Sequence, residues 1–153
     1  MVKVKSGEEI TEKVLKLKIR LDFKGEAKGK FLFGNKNIEK LAEEARDQQV
    51  ALIRNVPFQG ISIEDIDVGM EIYTVYDENT GEDVAYSPVI LTIAADTMED
   101  IIKFIMREEF RKVEVIEPDH IYLTRQDAER MLFRMNQELK SYKTSLEKKY
   151  NIK

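Results

Sequence analysis

The chain's single histidine, His120, lies close to three acids, Glu114, Glu117 and Asp119, in the stretch VEVIEPDHIYLT. An imidazole among carboxylates is the raw material of a metal site or an acid–base pair, and little else in the 153 residues looks like chemistry. A strand and a turn account for the same residues. Val113 to Ile116 alternate as a strand, which turns Glu114 away from Val113 and Val115. Pro118 suits the second position of a type I turn with Asp119 after it, and Ile121 to Leu123 are apolar up to Thr124. EPDH then reads as a turn joining two short strands, and no metal or cofactor is expected there.

The other motifs weaken on inspection. GEAKGKF, from Gly25 to Phe31, has Gly29 followed by Lys30, but a P-loop needs a longer gap, a Ser or Thr after the lysine, and a helix to follow. No GxGxxG occurs, so a dinucleotide site has no support. DENTGED, from Asp77 to Asp83, mimics the start of a calcium loop, yet Gly81 comes one place early and Pro88 stands where the closing glutamate belongs. It reads as an acidic hairpin tip. There is no GxSxG elbow, and the absence of cysteine excludes disulfides, thiolate metal sites and cysteine nucleophiles. With 29 acids, some carboxylates will be neighbours by chance, so carboxylate pairs are uninformative.

One cluster could bind anions. Lys16, Lys18 and Arg20 share a strand face, and Lys24, Lys28 and Lys30 follow in the adjoining loop. Such a patch could track a phosphate backbone with steep salt dependence. Against it stand a net charge of −4 and an exposed face without aromatics for base stacking. Lysines on an outer strand face also deter edge pairing. The charge is unevenly spread: residues 1–30 carry nine Lys/Arg against five Asp/Glu, residues 124–153 eight against four, and the centre eight against twenty.

The elements that must position these residues follow from periodicity. Leu15, Leu17, Ile19, Leu21 and Phe23 alternate with polar residues as a strand, the loop KGEAKGK turns it back, and Phe31 to Phe33 form the return. A helix starts near Asn37 with Ile38, Leu41, Ala42 and Ala45 on one face, and Val50 to Ile53 reads as a buried strand. Residues 56–69, with Pro57, Gly60 and Gly69, look irregular and serve as a connector. MEIYTVYD and VAYSPVILTIAA then form a hairpin, with Pro88 requiring an edge or a bulge. Thr97 and Asp100 open a helix striped by Met98, Ile101, Ile102, Ile105 and Met106, and VEVI is the next strand.

The expected fold is therefore one α+β domain over residues 1–153, with a mixed or antiparallel sheet carrying packed helices. It is built from two ββαβ units at about 13–55 and 70–123. A long C-terminal helix follows at about 125–149, capped by Thr124 and Asp127. Ala128, Leu132, Met135, Leu139, Tyr142 and Leu146 stand at heptad spacing along it. Met131 and Phe133 widen its proximal face, so that half is expected to dock on the sheet. Met135, Leu139, Tyr142 and Leu146 are expected to meet a second copy.

With 42% apolar residues, no signal-peptide block and no membrane-length apolar run, the expectation is a soluble cytoplasmic protein without membrane contact. In function, the reading is a non-catalytic binding, regulatory or assembly protein. It would form a homodimer or higher homo-oligomer, with a protein or small-molecule partner at the junction of its halves. The alternatives are a nucleic-acid-binding module using strand 16–30 and a small carboxylate-dependent enzyme.

Overall fold

In the computed structural model, residues 1–26 and 37–150 are described. At the centre lie two antiparallel strands, β3 (Leu15–Gly25) and β6 (Glu82–Ala95); numbering starts from an N-terminal hairpin, β1 (Val2–Ser6) and β2 (Glu9–Lys13), turned at Gly7 with φ +64°. Leu15 lies opposite Ala95, and the register runs unbroken to Gly25 opposite Ala85. The period-two pattern puts Leu15, Leu17, Ile19 and Leu21 on one face with Val89, Leu91 and Ile93, all fully buried. At about 1.5–3 kcal/mol per buried aliphatic side chain, this face is the main source of stability.

Helices cover it. Asn37 caps α1 (Ile38–Asn55) by accepting the N–H of Glu39 at 2.9 Å, and Pro57 lies just past its end. Ala42, Val50 and Ile53 are buried against β3 and β6. The strand expected at Val50–Ile53 is therefore the last part of a helix. Val50 and Ile53 are three residues apart on one helical face, while Ala51 and Leu52 face solvent. A short four-residue run cannot distinguish the two periods. The return strand expected at Phe31–Phe33 lies outside the described residues.

Residues 56–69 are not an irregular joint either. They contain β4 (Ile61–Asp67), which pairs with β6 and carries a bulge between Ile63 and Asp65. The expected hairpin follows as β5 (Tyr73–Asp77) and β6, turned at Gly81 with φ +73°. β4 and β5 lie on the same side of β6 and run in the same direction, so together they form one interrupted strand. The interruption coincides with Pro88. Asp22 gives its N–H to Glu109 O at 2.8 Å, away from β6, so its pairing with Pro88 is a non-hydrogen-bonded one. The Pro88 nitrogen consequently points away from β3, to the side on which residues 87–89 of β6 have no ladder partner. The missing N–H costs nothing there.

Only half of the capping expected of Thr97 and Asp100 is present: Asp100 N–H reaches Thr97 Oγ1 at 3.3 Å, but the Asp100 carboxylate accepts from the Thr97 hydroxyl rather than its backbone, and the helix is brief. A 3-10 turn (Glu99–Ile101) leads into the single turn of α2 (Ile102–Ile105). Ile101, Ile102 and Phe104 are buried, and Phe104 meets Phe58 edge to face at 5.0 Å. β7 (Phe110–Glu117) completes the sheet at the other side of β3. The strand order is β4–β6–β3–β7, with β5 on β6, and every pairing is antiparallel. After β7 the Glu117–Pro118 peptide is cis, and the second short strand expected at Ile121–Leu123 is reduced to one bridge, Tyr122 to Lys3. The last element, α3 (Arg125–Tyr150), starts where expected: Thr124 N–H reaches Asp127 Oδ2 and Asp127 N–H reaches Thr124 Oγ1, both at 3.0 Å. The architecture is thus α+β, with two antiparallel sheets and a long C-terminal helix.

Gly25, at the end of β3, passes so close to α1 that a Cβ would collide with Ala42 N and Ile38 O. Because both are backbone atoms, neither can swing aside. Gly25→Ala is expected to destabilise the fold by about 1–3 kcal/mol, the range for overpacking, read as a lower urea midpoint at unchanged slope.

Candidate functional site

The alternation makes the opposite face of β3 polar, and one of its residues departs from that pattern. Asp22 is enclosed, its side chain wholly inaccessible to solvent. Arg20 grips it with two hydrogen bonds, Nε to Oδ1 at 2.8 Å and Nη2 to Oδ2 at 3.0 Å. Tyr73 donates its hydroxyl to Oδ2, and Arg111 Nε stands 3.7 Å from the same oxygen. Above them Tyr73 stacks on Tyr86 with centroids 5.4 Å apart, and the Arg111 guanidinium lies 5.2 Å from the Tyr86 ring. Hydrogen bonding to Asp22 raises the pKa of Arg20 further, and burial together with the same carboxylate pushes Tyr73 up.

A buried carboxylate with two cations and a tyrosine has the composition of a catalytic centre. Its geometry is otherwise. Donors already hold both oxygens, and the side chain is inaccessible to solvent, so a substrate could not approach it. The cluster joins β3, β5 and β7. Sequence reasoning placed Asp22 on the wet face with its neighbours. The one signal was its sign, a lone acid among Lys16, Lys18, Arg20 and Lys24.

Of the patch's described cations, Lys16, Arg20 and Lys24 are paired within the chain, and Lys18 forms no ion pair among the described residues. Lys16 pairs with Glu64 at 3.4 Å, Arg20 with Asp22, and Lys24 with Glu26 at 3.3 Å. Lys28 and Lys30 lie outside the described residues. A cleft of about 660 Å³ beside the cluster is lined by Phe23, Lys24, Leu41, Gln48, Tyr86 and Arg111. Its charged rim is also paired internally, Lys149 reaching Glu108 at 3.1 Å. Burial disfavours the Lys149 ammonium, but the hydrogen bond and charge of Glu108 together with Tyr150 outweigh it and hold the pKa above the usual lysine value. His120 is exposed, and among the described residues no group of three His, Asp or Glu side chains could hold a metal ion. No helix described is long and apolar enough to cross a membrane.

The remaining candidate surface is α3. None of its 26 residues is buried. It packs on the 3-10 turn and α2, outside the sheet, and Lys149 ties its far end to Glu108. The expectation that its proximal half docks on the sheet is corrected: Leu132 and Phe133 are each 66% exposed. Of the four residues assigned to self-association, Met135 and Leu139 are 42% and 54% exposed, while Tyr142 and Leu146 are half-buried. At about 100° per residue, Leu132, Met135 and Leu139 fall on one stripe, and Phe133 projects from the opposite side. Met135, Asn136 and Leu139 form one wall of an apolar groove whose other wall is Ile102, Ile105 and Met106.

Comparison of the chain with known protein families, with curated proteins and with solved structures finds no match.

Asp22→Ala strands Arg20 and Tyr73 together. It is expected to cost about 3 kcal/mol, the low end for a broken buried pair because Arg20 is a third exposed, measured by urea unfolding. Tyr73→Phe removes one hydrogen bond and should cost about 1 kcal/mol in the same assay. A third expectation concerns the α3 cap. Hydrogen bonds from Thr124 lower the Asp127 pKa below its ordinary 3.8. A depressed folded pKa means that the stabilisation is present above about pH 4 and is lost as pH falls through the folded value. Asp127→Asn should therefore flatten the acid limb of the stability–pH profile below pH 4, and an unchanged limb would refute the assignment.

Proposed function

We propose that this chain is a non-catalytic binding or assembly protein that associates with its own copies through α3. The observation that carries the reading is a 26-residue helix without a buried residue, whose exposed Leu132, Met135 and Leu139 stand at heptad spacing beside an apolar groove. A solvated helix has no use for such a stripe, and contiguous exposed apolar surface of this kind marks an interaction site. The seam differs from the sequence expectation in position. It is centred on residues 132–139, where the apolar side chains are most exposed, whereas Tyr142 and Leu146 are half-buried. The enclosed Asp22 cluster supports the non-catalytic half of the reading, since the most enzyme-like constellation among the described residues is held by its own chain and closed to solvent.

Native mass spectrometry of the unaltered protein, with light scattering at tens of micromolar, tests this directly. The expected result is a multiple of the single-chain mass. Leu132→Glu combined with Leu139→Glu, both at exposed positions and so compatible with folding, should weaken association by roughly 100-fold or more, as loss of central interface anchors does. A monomeric unaltered chain, or an assembly indifferent to both substitutions, would overturn the proposal.

A further inference from the structure

β7 is an open edge. It pairs with β3 alone among the described residues, and Val113, Val115 and Ile116 are 37%, 43% and 44% exposed along it. An edge of this sort is a template for another strand. Which backbone groups it offers follows from the register. Asp22 turns its N–H toward β7, and β3 is regular against β6 over its whole length, so even-numbered residues of β3 bond to β7 and odd-numbered ones to β6. Lys18 with Glu114 and Arg20 with Lys112 are then the hydrogen-bonded pairs, and Ile19 with Val113 is not. Val113 and Val115 therefore point their N–H and C=O groups outward.

The charges on this edge are sorted. Arg111 and Lys112 precede Val113, and Glu114 and Glu117 follow it. Lys112 faces Arg20 across the ladder, and neither Lys112 nor Glu114 forms an ion pair among the described residues. Bulges at Arg111 and Ile116 leave Lys112–Val115 as the regular stretch. A parallel copy would set like charges side by side; an antiparallel copy opposes them. A two-fold axis through a continuous sheet keeps paired residues on the same face, so the axis must pass through a residue rather than between two. Centred on Lys112 or on Glu114, the pairing would press that charge against its own copy. Centred on Val113, it sets Lys112 opposite Glu114 twice and joins the outward-facing valines in a hydrogen-bonded pair.

We infer that two copies pair antiparallel along β7, with Val113 opposite Val113 of the second copy, fusing two sheets into one. The inference rests on the self-association reading and adds to it a surface distinct from α3.

The absence of cysteine allows a clean test, because single substitutions V113C, E114C, L139C and N79C each introduce the only thiol. Across a hydrogen-bonded antiparallel pair the Cα atoms are about 5.5 Å apart, within disulfide range. Under mild copper-catalysed oxidation, V113C is expected to form covalent dimer roughly tenfold faster than N79C at the hairpin tip, because the paired strands hold the thiols at high effective concentration. K112E should weaken the dimer roughly tenfold, and K112E with E114K should restore it. Cross-linking of V113C no faster than N79C overturns the inference, as does faster cross-linking of E114C than of V113C. Rapid cross-linking of L139C with none of V113C leaves the α3 reading standing and removes this one. The converse supports edge pairing and removes α3.

Discussion

The pairing of Leu15–Gly25 with Ala85–Ala95 sorts two incompatible chemistries onto opposite sides of the same two strands. On one side are the aliphatic residues that α1, the 3-10 turn and α2 cover. On the other are lysines, arginines and an enclosed carboxylate. Side chains alternate with a period of two, so a slip of one residue would carry Lys16, Lys18 and Arg20 into the core and strip α1 of its platform. Burial of the aliphatic face makes that slip prohibitive. Helix placement, the edge character of β7 and the docking of α3 all inherit this one register.

The polar side has its own lock. Removing a carboxylate from water is expensive unless charge and hydrogen bonds replace the lost hydration, and Asp22 receives both from Arg20, Tyr73 and Arg111. These residues come from three strands, so the ion cluster fixes the relation of β5 and β7 to β3 in a way that apolar contact on the far face cannot. Tyr86 stacks on Tyr73 and faces Arg111, adding a fourth strand, β6, to the same cluster. The result resembles an active site in composition and acts as a rivet.

The elements with an unbroken period were legible in the sequence. β3, the β5–β6 hairpin and the capped start of α3 each show several turns of one repeat or a reciprocal cap. Val50–Ile53 was not, because four apolar residues satisfy a buried strand and a helix end equally well, and only packing against β3 decides. β4 was hidden by the acids Glu64, Asp65 and Asp67, which suit an exposed edge but mask alternation. The Asp22 cluster was out of reach for a different reason: its tyrosine partner is 51 residues away, and nothing local distinguishes an enclosed acid from a wet one. For α3 the heptad was visible, but which stretch of it stays open depends on its packing against α2 and the 3-10 turn.

Pro88 does more than tolerate its place beside the break between β4 and β5. Its nitrogen gives no handhold on that side, so a neighbouring strand cannot run past it, and residues 68–72 arch across the opening. The ring works as a stop between two rulers. β4 is measured against Ile90–Ala95 and β5 against Glu82–Tyr86, each from its own side of the proline. An error in the length of one piece is absorbed by the arch and never reaches the other. Tyr73 therefore arrives over Asp22 whatever the bulge in β4 has done to the count upstream.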